Sequence, residues 1–245
     1  MRRARWIGQA LAAALAAASP TSAGALTPVA LELVLAVDAS GSVHEGEFAL
    51  QVHGVAAAFR DPGVVAAIEA QGPDGIAVAV LQWSGSGQQV VAIDWTLIRD
   101  REAAAEFADR VEATPRLIEG ETAIAPAIAF AWRMIETNGF EGGRKTIDVS
   151  GDGSANVGPD PDEVRDAAVA AGVTINGLAI LNEQPDLADY YREFVTGGTG
   201  SFVIEARSYS DFARAMRIKL LEEIRAAPVA QRPPSSVRLA QGLLR

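Results

Sequence analysis

Nearly half of this 245-residue chain is hydrophobic (49%) and 21% is charged, which suits one sizeable folded domain and excludes both a disordered chain and a fully membrane-embedded one. A formal net charge of −10 makes nucleic acid and anionic membrane poor partners. With no Cys, the fold has no disulfide and any chemistry has no thiolate.

Residues 1–25 read as a secretory signal. Arg2, Arg3 and Arg5 form a basic start, and Ile7 to Ala18 is apolar apart from Gln9. Ala23 and Ala25 then stand at the small-residue positions of a cleavage site. The apolar run is shorter than the roughly 20 residues that span a bilayer, so cleavage is expected after about Ala25, with no integral membrane segment left behind. The leader holds three Arg and no acid, so its removal takes the net charge from −10 to −13. The product is expected to be exported, to the periplasm or beyond the cell.

From residue 26 to 225 the pattern alternates between strands and helices. "LELVLAV" (31–37) reads as a strand buried on both faces. The helix after it places Phe48, Val52, Val55 and Phe59 on one stripe and stops before Pro62. "GIAVAVLQW" (75–83) and "QQVVAIDW" (88–95) are strands joined by "SGSG", a connection so short that they must pair antiparallel. Helices are expected over 101–113 and 123–137, a strand over 144–150, and a helix from about Pro161 to Gly172. A strand at 173–181, a short helix at 186–195, a strand at 201–206 and a helix from Ser210 to Ile224 complete the series.

This order predicts an α/β fold. A mostly parallel, six-stranded, doubly wound sheet carries one antiparallel edge strand, with helices on both faces. Residues 226–245, rich in Pro and Ser, read as a flexible C-terminal tail.

In such sheets ligands bind beyond the carboxyl ends of the strands, where the strand order reverses. Two polar loops meet that condition, and a third, between two helical segments, joins them. "DASGSV" follows the first strand, "SGDG" follows the strand at 144–150, and "LIEGETAIAP" places Thr122 just before a helix. Singly, each is an ordinary cap or turn. Together, Asp38, Ser40, Ser42, Thr122 and Asp152 make an all-oxygen set of three hydroxyls and two carboxylates, the donors a hard divalent cation prefers. Neutral hydroxyls can touch the ion while the carboxylates hold its waters and balance its charge. Such an ion keeps an open position that an outside carboxylate can fill.

"DASGSV", "GETAI" and "SGDG" resemble the metal-ion-dependent adhesion site, or MIDAS, of von Willebrand factor A-type domains. The resemblance covers nearly all of the chain between leader and tail. "AAAFRDP", "VLQWSG", "RKTIDVSGDGSANVG" and "DFARAMRIKLLEEI" are similar, more closely, to an uncharacterised bacterial group of exported A-type-like proteins, a domain-of-unknown-function family. The resemblance implies direct coordination by Ser40 and Ser42, coordination by Thr122 directly or through water, and water-mediated roles for Asp38 and Asp152.

The expected function is a non-catalytic binding module that uses Mg²⁺, or Mn²⁺ or Ca²⁺, to bind an exposed carboxylate of a partner protein or peptide. The competing readings are a metal-dependent hydrolase on the same sheet and a structural domain stabilised by its metal. Aspartyl phosphotransfer usually needs a second acid two residues after the nucleophile, where this chain has Ser40, and no G-x-S-x-G elbow or Gly-rich loop with a Lys is visible. Asp148 is expected to face a helix and Asn156 the rim of the site. Trp83, Trp95 and Trp132 are read as core, and His44 as a solvated residue at a helix start. Of Tyr190 and Tyr191, one is read as packing in and the other out, with the order left open.

Overall fold

The computed structural model describes residues 25–226, so the expected leader (but for Ala25) and the expected tail (but for Ala226) lie outside the described residues. β2 (Leu31–Asp38) is buried along its whole length. Leu31, Leu33, Leu35 and Val37 enter one core and Val34 and Ala36 the other, as the two-residue period of a doubly covered strand requires. β3 (Ile76–Trp83) and β6 (Lys145–Gly151) flank β2 in parallel, and β7 (Val173–Ile180) and β8 (Val203–Ala206) continue the sheet. β4 (Gln89–Ile98) closes the other edge antiparallel to β3, giving the order β4-β3-β2-β6-β7-β8.

Helices α1 (Glu45–Arg60), α2 (Pro62–Glu69), α3 (Arg101–Glu112) and α7 (Phe212–Arg225) supply one core. The other face is covered by α4 (Ile124–Glu136), α5 (Pro161–Ala170) and the short α6 (Leu187–Tyr190), which widens into a π turn at Tyr191–Val195. The predicted sheet and its antiparallel edge are therefore present. Among the described residues no helix is long and apolar enough to cross a membrane.

Three elements depart from the expectation. Pro62 does not simply end a helix; it is the first residue of α2. Asp61 closes α1 by donating its backbone N–H to Ala58 O, and its carboxylate accepts the N–H groups of Gly63 (2.8 Å) and Val64 (3.2 Å). Proline at the first helical position lacks only a donor that would be unpaired anyway. The other two are β1 (Thr27–Val29) and β5 (Phe140–Gly142), which form a separate parallel pair. Glu32 on β2 anchors it, its buried carboxylate accepting from Gly142 N (2.6 Å) and Asn138 Nδ2 (2.5 Å).

Asp148 faces α7, as its alternation on β6 predicts. Lys219 Nζ lies 3.0 Å from Asp148 Oδ1 and 2.5 Å from Glu223 Oε1, and Asn176 Nδ2 donates to the same Glu223 oxygen at 2.9 Å. All four side chains are buried. Burial pushes Asp148 above the usual carboxylate range against the pull of Lys219.

The register levels the strand ends. Asp38 is paired with Trp83, and Val37 with Ser150, so the loops after β2, β3 and β6 leave one edge together. The strand order reverses at β2, and the crevice between β2 and β6 is the switch point where ligands bind such sheets.

Candidate metal centre

β2 delivers Asp38 into this crevice. The side chain is fully buried, and its Oδ1 accepts the backbone N–H of Ser40 at 2.7 Å, which bends the loop sharply away from the strand. Two residues on, Ser42 Oγ lies 3.2 Å from Ser40 Oγ and donates to Asp152 Oδ1 at 2.7 Å. Four of the five expected residues thus form one hydrogen-bonded chain that crosses from the β2 loop to the β6 loop.

Thr122, also buried, is brought alongside through its backbone. Gly41 N donates to Gly120 O at 2.6 Å, joining the two loops directly. Thr122 N donates to Asn156 Oδ1 (2.8 Å), and Asn156 N returns a bond to Thr122 O (3.0 Å). Asn156, expected at the rim, is thus the brace between the loops that carry Thr122 and Asp152.

The carboxylates differ in what holds them. Asp152 has both oxygens engaged: Oδ1 by Ser42, and Oδ2 by the Tyr209 hydroxyl at 2.8 Å. Asp38 Oδ2 is buried without a hydrogen-bond partner. Burial pushes the Asp38 carboxyl up to about 7, Ser40 opposes this through its hydrogen bonds, and the negative charge of Asp152 adds to it. Two buried acids, the buried Ser40 hydroxyl and the exposed Ser42 hydroxyl form a donor set, open to solvent on the Ser42 side, that suits a hard cation, whose charge would offset both desolvation and repulsion. Hydroxyls carry half of this set; among the described residues no three His, Cys, Asp or Glu gather as a metal cluster.

Gly151 lets β6 pass this close to β2. A Cβ there would lie 2.7 Å from Asp38 Oδ2, 2.8 Å from the Tyr191 hydroxyl and 3.3 Å from the Trp83 ring. Trp83 itself is fully buried and donates its indole N–H to Ala36 O at 3.1 Å.

Several contributors carry no local sequence signal. Arg116 reaches from the loop after α3 to donate to Ala39 O (2.9 Å) and Ser40 O (2.7 Å), fastening the outside of the β2 loop. Gln51 on α1 donates to Asp38 O at 3.0 Å from inside. Tyr209 enters from the turn before α7 and Tyr191 from the π turn, both remote from the three motifs. His44 is the exposed N-cap of α1, as expected of a solvated helix-start residue, and His53 sits on the surface 3.3 Å from Glu112. Trp95 and Trp132 are half-buried against the core, while Tyr191 is buried and Tyr190 half-buried.

The profile of the family described as "protein of unknown function (DUF1194)" matches residues 28–228. No curated protein matches the chain in sequence. Among solved structures, proximal thread matrix protein 1 from the mussel byssus aligns at 16% identity and a TM-score of 0.59, covering 80% of this chain and 48% of that one. The mussel protein has also been solved with a zinc-occupied MIDAS motif. A von Willebrand factor type A protein from Catenulispora acidiphila aligns at 18% identity and a TM-score of 0.53, covering 80% and 43%. The vWF domain of the type V pili tip protein Mfa5 from Porphyromonas gingivalis aligns at 11% and 0.51, covering 83% and 99%. This chain spans about half the length of the mussel protein. The fold is that of a von Willebrand factor A-type domain.

Proposed function

The chain belongs to the DUF1194 family, and from that premise we propose that it is an exported, non-catalytic binding module whose divalent cation takes an acidic group of a partner protein or peptide. Asp38, Ser40, Ser42, Thr122 and Asp152 would hold the ion, with Mg²⁺ the first choice and Mn²⁺ or Ca²⁺ of the same class. When bound, the ion would supply a positive centre with an exchangeable position.

The observation that carries this reading is the pairing of a buried, unpartnered Asp38 oxygen with a second carboxylate tied into the same chain of serines. Such an arrangement is costly without a counter-charge. Ser40 and Ser42 offer neutral oxygens that leave an ion electrophilic, whereas Asp152, whose two oxygens each accept one bond, from Ser42 and Tyr209, keeps lone pairs with which to hold the ion's waters. The zinc-occupied MIDAS of the mussel protein supports a divalent ion at this place in the fold. Export rests on the leader, and the acidic charge disfavours nucleic acid.

Electron paramagnetic resonance of Mn²⁺ titrated into the full chain tests the metal. Saturable binding of one equivalent, lost in Ser40→Ala/Ser42→Ala and displaced by Mg²⁺, is the expected result. Equal binding by the double variant would sink the assignment. A pull-down from envelope extract with and without chelator tests the partner; identical recoveries would favour a purely structural ion.

A further inference from the structure

A second feature lies against the outside of the β2 loop. Between α1 and the segment after α3 runs a groove of about 770 Å³, open to solvent. Phe48 and Val52 of α1 form an apolar floor, and Leu117 stands beside it 46% exposed, one of few large apolar side chains so displayed among the described residues. An isolated exposed Leu needs no explanation, but one beside an apolar floor in a cleft marks a binding surface.

The rim is acidic. Glu45, Glu112 and Glu119 line it. Arg116 and His53 are also present, but both are already engaged by the protein. Arg116 spends Nε and Nη2 on the carbonyls of Ile118, Ala39 and Ser40, and its Nη1 lies 3.9 Å from the Glu119 carboxylate, a loose contact. His53 turns to Glu112, which Arg60 also holds at 2.7 Å, so Glu45 and Glu119 are the acids left to a visitor. Beneath the floor, Val37, Val55, Val80 and Val111 surround a void of about 10 Å³, at the lower limit for one water, so a visiting side chain would stay in the groove above it.

Arg116 makes this groove continuous with the metal centre. The residue that forms part of its wall holds the backbone of Ala39 and Ser40, and Glu45 follows Ser42 by three positions. A segment that places one group on the Ser40–Ser42 side of the loop has its next residues beside this wall.

We propose that the groove takes an apolar side chain with an adjacent Lys or Arg from the same partner segment whose acidic group meets the cation. The apolar residue packs on Phe48, Val52 and Leu117, and the basic one faces Glu45 and Glu119. This rests on the metal-dependent reading for the acidic contact alone; the apolar and basic contacts do not need the ion. The selectivity of the domain then lies in the groove, because a cation by itself accepts any carboxylate.

A phage-displayed library of random dodecapeptides, panned on the full chain in Mg²⁺, tests this. The expected enrichment combines an acidic residue with an apolar–basic pair. Leu117→Glu should weaken an enriched peptide by about tenfold or more, the scale of burying one apolar side chain. Glu119→Lys should abolish the basic preference, and both variants should bind Mn²⁺ as the wild type does. Ser42→Ala or chelator should remove the acidic preference and leave the apolar–basic pair in place. If the pair survives while an acidic preference never appears, the metal reading fails and the groove stands. Enrichment without the pair, enrichment unchanged in both groove variants, or no enrichment at all overturns the proposal.

Discussion

Tyr209 and Asp152, 57 residues apart, are joined by a buried hydrogen bond in which the phenol donates to Asp152 Oδ2 at 2.8 Å. The bond fixes the carboxylate that also receives Ser42, so the turn before α7 sets the orientation of the β6 loop. Tyr209→Phe leaves one carboxylate oxygen unpaired in a buried setting, which costs about 1–3 kcal/mol. Urea unfolding without metal should show that loss, and saturating Mg²⁺ should recover part of it. An unchanged midpoint in both conditions would show that the bond does not hold the loop.

Gly151→Ala tests the close approach of β6 to β2. The added methyl would meet Asp38 Oδ2 and the Tyr191 hydroxyl at distances no Cβ tolerates, so the strand must shift at a cost of about 1–3 kcal/mol. Gly153→Ala, where a Cβ meets nothing within 4 Å, is the control and should be nearly neutral. Thermal melts of the two variants give the comparison; equal melting temperatures would refute it.

Lys219→Met probes the buried charges behind the sheet. Without the ammonium, Asp148 and Glu223 face each other uncompensated, and loss of one partner from a buried ion pair costs about 3–5 kcal/mol. Adding Asp148→Asn and Glu223→Gln to the variant should restore much of the stability in equilibrium unfolding. A triple variant no better than Lys219→Met would place the defect in packing rather than charge.

Acid sensitivity should be partly traceable to Asp211. The Arg214 guanidinium, which grips both of its oxygens at 2.6 and 2.8 Å, holds its carboxyl down to about 2. The unfolded chain binds the proton more readily, so this contribution is present above the ordinary Asp value of about 3.9 and is lost as pH falls through about 2. Asp211→Asn should be less stable than wild type at neutral pH, and the difference should close on acidification. Parallel urea titrations across that window measure it; a pH-independent gap would contradict the assignment.

The sheet order and the site loops were legible in sequence because their signals are local. β2 is a largely apolar run and β6 alternates polar residues with Ile147 and Val149; they end in Asp-x-Ser-x-Ser and Ser-Gly-Asp-Gly, and a strand end fixes where its loop begins. Asp38, Ser40, Ser42 and Asp152 are consequently joined by direct bonds, and the loop of Thr122 is tied to theirs through Gly120 and Asn156. Tyr209, Tyr191 and Arg116 were not legible, because nothing near them in the chain says which distant carboxylate or carbonyl they meet. The β1–β5 pair is too short to show a period, and Glu32, buried in an otherwise apolar strand, was its one trace. At α2, proline was read as a stop although the acid before it already spelled a start.

That acid leaves the molecule with a corner that has no slack. Asp61 is at once the last bond of α1 and the first cap of α2, so the two rods share a single joint residue. One inserted amino acid would rotate α2 by about 100°, carrying the Val64–Ile68 stripe off α7 and into water. Length is therefore locked at this bend more tightly than identity, and natural or engineered variation there should be found as substitutions and never as insertions.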